Sequence, residues 1–230
     1  LQLIYHLTAG RIQIITGAID DAIVSLEQAL TLTTSQADTV EDPSGLADIY
    51  DNLGLAYAMR GDRPTALRHL KRADACWQLS GNSGRRALTL NNLGMLASEE
   101  GRYAEARSAL EQGLEIAQQT ARRREEIVLR CTMAELDTLE GALSQALTHF
   151  SEAYSLAVRM EVVSSIATAA AGAYWITALQ GDHNAATAWQ TQPADAPPEV
   201  QARLALAKAH LLVQRPHPPF TQIAAHVAKA

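Results

Sequence analysis

The side chains best able to do chemistry in this sequence of 230 residues are seven histidines, two cysteines and one run of arginines. The histidines are His6, His69, His149, His183, His210, His217 and His226, and none makes an i, i+4 pair with a carboxylate partner. His69 and Cys76 stand seven apart and would share a helix face, but a zinc site needs three or four donors. The pair reads as a helix-surface histidine and a packed cysteine, and no metal is expected. Cys76 and Cys131 are too few for a disulfide framework. There is no phosphate-binding glycine loop, no dinucleotide turn after a strand, no nucleophile elbow and no HExxH, so neither catalytic residues, nor a cofactor, nor an enzymatic activity is expected. Arg122-Arg123-Arg124-Glu125-Glu126 is the strongest charge run, with Arg85-Arg86 a shorter one. Cations closing one helix, followed by acids opening the next, would explain both. A basic ridge that docks an acidic partner or DNA is the alternative.

Charge and composition narrow the setting. Net charge is −6, and it is uneven: −7 over residues 1–59, +4 over 60–130 and −3 over 131–230. An acidic chain with one mildly basic stretch is a poor sequence-independent binder of nucleic acid. Hydrophobic residues make up 47%, charged ones 19% and aromatics 5%. The abundance of Ala and Leu favours helix over a β-sandwich. Residues 162–181, VVSSIATAAAGAYWITALQG, carry no charge and are long enough for a bilayer. Their Ala, Ser and Thr content instead suits a buried helix. The opening LQLIYHLTAG has no basic n-region and no initiator Met, which reads as a piece of a longer cytoplasmic protein.

The elements that must position any site show themselves as a repeat. Gly61, Gly101, Gly141 and Gly181 are 40 apart, and Gly17 precedes Gly61 by 44. Five residues after each comes a small residue (Ala22, Ala66, Ala106, Ala146, Ala186), and four later a large one (Leu26, Leu70, Leu110, Phe150), with Gln190 departing. Seven before each glycine stands Gly10, Gly54, Gly94 or Ala134, with Tyr174 in the fifth copy. Spacings of three, four and seven put these residues on one helix face, where small ones admit a second helix and large ones fill the gap. The turn glycine supplies a left-handed residue between the two helices. The expected architecture is all-α: a right-handed superhelical α-solenoid of helix–turn–helix units over 3–40, 47–86, 87–126, 127–166 and 167–192. Residues 1–192 thus hold five repeats, and 193–230 form a degenerate sixth pair or C-terminal cap that starts after Pro197-Pro198 and breaks at Pro216.

These residues resemble the tetratricopeptide repeat. Tyr50, Leu53-Gly54, Tyr57, Ala66, Leu70 and Ala73 match its pattern. Leu93-Gly94, Ala106 and Leu110 match again with Ala97 in place of the tyrosine, and Ala146, Phe150 and Ala153 persist in the fourth copy. The usual repeat is about 34 residues. Copies near 40 that open DNLG or NNLG look like those of maltose-activator-like and antibiotic-regulator (SARP) bacterial transcriptional regulators, and similar long repeats occur in kinesin light chains. The resemblance implies a sensor or scaffold module rather than an enzyme.

In a stack of helical hairpins the first helices line the inner groove. By register the groove positions are Asp48, Asp51, Asn52 and Leu55, then Asn91, Asn92 and Met95, then Cys131 and Glu135, then Ala171 and Trp175. Asparagine offers both donor and acceptor to an extended peptide backbone, or else satisfies its own helix. Lysine is absent from these helices, so a carboxylate clamp is not expected, and the acidic Asp48, Asp51, Glu99 and Glu135 suit a basic or polar ligand. The expected partner is a protein, a peptide or a small inducer, with neither nucleic acid nor membrane bound by this chain. A scaffold that pairs as a homodimer through apolar array ends (Leu3, Ile4, Leu7, Ile12) is the other reading.

Overall fold

The computed structural model describes residues 2–35, 43–189, 201 and 205. The expected sixth pair, 193–230, otherwise lies outside the described residues. All described elements are helical: α1 (Gln2–Thr16), α2 (Ile19–Ser35), α3 (Pro43–Met59), α4 (Arg63–Ser80), α5 (Ser83–Glu99), α6 (Tyr103–Gln119), α7 (Arg123–Leu139), α8 (Leu143–Arg159), α9 (Val163–Leu179) and α10 (His183–Ala188). They fall into two compact units, Leu1–Ala121 with α1 to α6 and Arg122–Ala230 with α7 to α10. The repeat pattern places no boundary there. No described helix is long and apolar enough to cross a membrane.

From α3 onward, helices begin every 20 residues, at 43, 63, 83, 103, 123, 143, 163 and 183. The repeat is therefore two equal halves, and its hairpins start near 43, 83, 123 and 163. The sequence-based limits at 47, 87, 127 and 167 cut each first helix four residues late. The missed signal is a second turn. Left-handed residues stand at Gly61, Gly101, Gly141 and Gly181 within hairpins, and also at Gly81, Ala121 and Glu161 between them. Only one of the latter three is a glycine, so the second series is invisible in composition.

Left-handed backbone costs a residue with a Cβ about 1–2 kcal/mol. Glu161, at φ 56°, carries that cost. Glu161→Gly is expected to stabilise the second unit by about 0.5–1 kcal/mol, the relief of strain less the added freedom of the unfolded chain. Urea denaturation measures it, and a destabilised variant would contradict the turn geometry.

Side-chain caps start α4, α5 and α10, whereas the N-cap residues of α6 to α9 (Arg102, Arg122, Ala142 and Val162) make no cap hydrogen bond. Asp62 accepts the Thr65 amide at 3.2 Å. That backbone bond, with the Thr65 side chain and the nearby arginines, holds its carboxyl below the ordinary range. Asp182 accepts the Ala185 amide at 2.9 Å. The predicted small positions Ala22, Ala66, Ala106, Ala146 and Ala186 are fully buried, and Leu26, Leu70, Leu110 and Phe150 are buried beside them.

The two units reach close packing differently. In the first, Gly10, Gly54 and Gly94 face Leu26, Leu70 and Leu110, and a Cβ on any of the three would sit 2.6 Å from the leucine Cγ. In the second, Ala134 replaces the glycine and Phe150 the leucine. The ring lies against α9 instead, where a Cβ on Gly172 would come within 2.3 Å of it. This explains the uncharged stretch: α9 is buried nearly all round, from Ala167 to Ala178.

Candidate functional site

Each register-predicted groove residue has a distinct place, and they fall into three groups. The first group is committed inside the fold. Asp51 of α3 accepts a hydrogen bond from Trp77 Nε1 of α4 at 2.6 Å. It also accepts from Thr89 Oγ1 of α5 at 2.7 and 2.9 Å. Burial pushes its pKa up to about 6 against the lowering effect of those two bonds; Asp48 pushes the same way and Arg85 opposes it. Asp48 lies 3.9 Å from Arg85 Nη2. Asn52 donates to the Asp48 carbonyl one turn back at 2.6 Å. Asn91 is 4% exposed; its Nδ2 is 3.4 Å from Met95 Sδ, and its Oδ1 has no hydrogen-bond partner among the described residues.

The second group forms a cavity. Leu55 of α3 meets Asn92 and Met95 of α5 around a space of about 200 Å³, completed by Met59, Ala58 and Glu99 and floored by Leu70. Leu55 (42%), Met59 (53%) and Met95 (43%) are exposed although apolar. Glu99 is held 3.4 Å from Arg63. Sequence register placed Leu55, Asn92, Met95 and the acidic Glu99 in the groove but passed over Met59. Met59 lies one helical turn beyond Leu55 on the same face, and that spacing was the available signal.

The third group belongs to the second unit. Cys131 is buried and Glu135 half-buried on α7. On α9, Ala171 is buried, and half-buried Trp175 packs on the apolar clusters around Phe150 and Tyr174.

The residues singled out for chemistry are engaged otherwise. His69 stacks on Tyr57, with centroids 5.3 Å apart and rings 9° from parallel. Burial, together with the charges of Arg72 and Arg68, pushes its pKa down. Cys76 is half-buried, and burial pushes its thiol pKa up. Among the described residues no group of three His, Cys, Asp or Glu could hold a metal ion.

The arginine run is not at a helix C-terminus. Arg122 is the N-cap of α7, and Arg123 and Arg124 are its first two residues. Arg85 and Arg86 likewise lie in the first turn of α5. The expected arrangement, cations at the end of one helix, is corrected by the short turns: the preceding helices end at Ser80 and Gln119, before the arginines begin.

Paired antiparallel helices with small residues at fixed register, repeated at 40 residues, define a helical-hairpin repeat protein of the α-solenoid class. Residues 45–157 are tetratricopeptide repeats, matched by the tetratricopeptide repeat family model over 45–119 and 85–157. No curated protein matches the sequence. Solved structures share the fold at low identity. The Rap conjugation gene regulator of plasmid pLS20, in complex with the Phr* peptide, is 16% identical with a TM-score of 0.70 over 98% of this chain. Aspartyl phosphate phosphatase F from Bacillus subtilis is 11% identical with a TM-score of 0.79, again over 98% of this chain. Nearly identical TPR-like repeats of a putative kinesin light chain from Podosopora anserina are 16% identical, with a TM-score of 0.65 over 93% of this chain and 97% of theirs. The chain spans 62% of the pLS20 regulator's length and 59% of the phosphatase's.

Proposed function

We propose that this chain is a recognition module that holds a peptide or a peptide-like segment of a partner protein against α3 and α5, and that it is not an enzyme. The observation that carries the reading is the α3–α5 cavity. Three exposed apolar side chains, Leu55, Met59 and Met95, surround it. Asn92 sits among them and makes no hydrogen bond to any described residue, leaving its amide for a ligand backbone. The aliphatic lining suits one bulky apolar anchor, and methionines adapt to its shape. A solved structure of the same fold, the pLS20 regulator, is in complex with a peptide, which supports the class of ligand. In this reading the module is the sensor region of a larger cytoplasmic bacterial transcriptional regulator, as the DNLG and NNLG openings suggest. A small inducer would be the other occupant.

The test is a peptide library selected against the protein. Combined Leu55→Ala, Asn92→Ala and Met95→Ala is expected to weaken selected peptides by about tenfold or more, the loss typical of central contacts. Unchanged affinity with unchanged helicity would remove the groove assignment.

A second reading, a scaffold that self-associates, is supported by α1. Ile4, Tyr5, Ile12 and Ile15 are all exposed there, whereas Leu3 and Leu7 pack on the core of the first unit. Light scattering at high concentration separates the two: a strict monomer removes the scaffold reading.

A further inference from the structure

The arginines of the second unit are used by nothing above. Three of them, Arg123, Arg130 and Arg159, line a cleft of about 480 Å³ between α7 and α8 together with Glu126, Glu152 and Ser155. Helix N-termini favour anions, so cations opening α7 are placed against the local field and do not serve helix stability. Glu126 explains how two of them are held. It is 4% exposed, and it accepts from Arg123 Nη1 at 2.7 Å and from Arg130 Nε and Nη2 at 3.2 and 3.1 Å. Burial pushes its pKa up, but the hydrogen bonds and charges of both arginines outweigh this and keep it below its ordinary value. Glu126 is thus a fixed carboxylate that orients two guanidiniums and leaves Arg123 Nε and Nη2 without a partner among the described residues.

Arg130 Nη1 reaches outward to Glu152, which is half exposed. Arg159, exposed in the last turn of α8, makes no ion pair with a described residue. The Ser151 hydroxyl donates to the Leu147 carbonyl at 2.6 Å, whereas the Ser155 hydroxyl is uncommitted among the described residues. The lining carries three cations against two anions in a chain of net charge −6. Leu156 is its only apolar member, and no aromatic ring lines it to stack on a base. The ligand must therefore be recognised by charge and hydrogen bonding.

We propose that this cleft binds a phosphate group, borne by a phosphorylated side chain or by a small phosphate compound. Arg123 and Arg159 grip the phosphate oxygens from two sides, as forked guanidiniums do. Ser155 donates a further hydrogen bond, and Arg130 turns from Glu152 to the incoming anion. Glu152 is thereby the competitor that occupies the site when no ligand is bound.

Isothermal titration of the full chain tests this with three probes: inorganic phosphate, the peptide acetyl-Gly-Gly-phosphoserine-Gly-Gly-amide, and the same peptide unphosphorylated. The phosphorylated probes are expected to bind and the unphosphorylated one not. Arg159→Gln, which breaks no ion pair with a described residue, weakens binding by about tenfold or more, and Glu152→Gln tightens it several-fold. A phosphopeptide that binds more tightly than inorganic phosphate identifies a modified protein as the source; equal affinities identify a small phosphate compound. No binding by either at millimolar concentration overturns the proposal. Affinity untouched by Arg159→Gln, or weakened by Glu152→Gln, in variants of unchanged circular dichroism overturns it as well.

Discussion

Gly172→Ala is expected to destabilise the second unit by about 1–3 kcal/mol, the usual cost of forcing extra volume into a close-packed core. The new Cβ would stand 2.3 to 2.5 Å from three carbons of the Phe150 ring. That ring is only 2% exposed, so it has no free direction in which to tilt. Phe150→Leu introduces the residue that Leu26, Leu70 and Leu110 supply at the same register, and it should remove most of the clash. The double variant is then more stable than the sum of the single effects by about 1 kcal/mol or more, the sign of residues in direct contact. Additive effects in urea denaturation would show that the ring does not lie over Gly172.

Asp51 should make the first unit less stable as pH rises from about 4 to about 6. A carboxyl raised from 3.8 to about 6 binds its proton more tightly folded than unfolded. Its favourable contribution is complete below the unfolded value and is lost as pH climbs through the folded one. The amount is about 2–3 kcal/mol, since each tenfold gain in proton affinity is worth about 1.4 kcal/mol. This runs opposite to an ion-paired carboxylate such as Glu126. Asp51→Asn keeps an oxygen for Trp77 Nε1 and removes the titration, so the difference between the two proteins isolates the effect. Of the three tryptophans, Trp77 alone lies in the first unit, so replacing Trp175 and Trp189 by Phe makes its fluorescence the reporter. Parallel stability profiles with and without Asp51→Asn would refute the buried carboxyl.

The helices were legible in the sequence because their signal is carried by what is small. Hairpins need Ala or Gly where two backbones approach, and from Gly61 and Ala66 onward the turn glycine and the small residue five after it recur at 40. The turns between hairpins were not legible, since a left-handed bend tolerates Ala121 or Glu161 at modest cost and so leaves no uniform residue behind. The candidate site was read in part. Register finds which residues share a face, and it brought Leu55, Asn92 and Met95 together. It cannot find bonds peculiar to one copy. Trp77 stands where later copies have Ala117 and Ala157, and Asp51 where they have Asn91 and Cys131. The Asp51–Trp77–Thr89 tie spans 26 and 38 residues, and those substitutions leave the later copies without its parts. A bulky residue interrupting a column of small ones was the clue. The arginine cleft escaped for a similar reason: a run of charges shows its sign but not which members are tethered by a carboxylate such as Glu126.

Within each unit the extensive helix contacts join neighbours along the chain, such as α3 with α4 and α8 with α9. Such a molecule has little long-range pairing to wait for. Emerging from a ribosome, each hairpin can close as soon as its second helix is free and then serve as the template for the next. The order of synthesis thus becomes the order of assembly, and a stalled or shortened product holds native structure only once enough pairs have stacked to share a core.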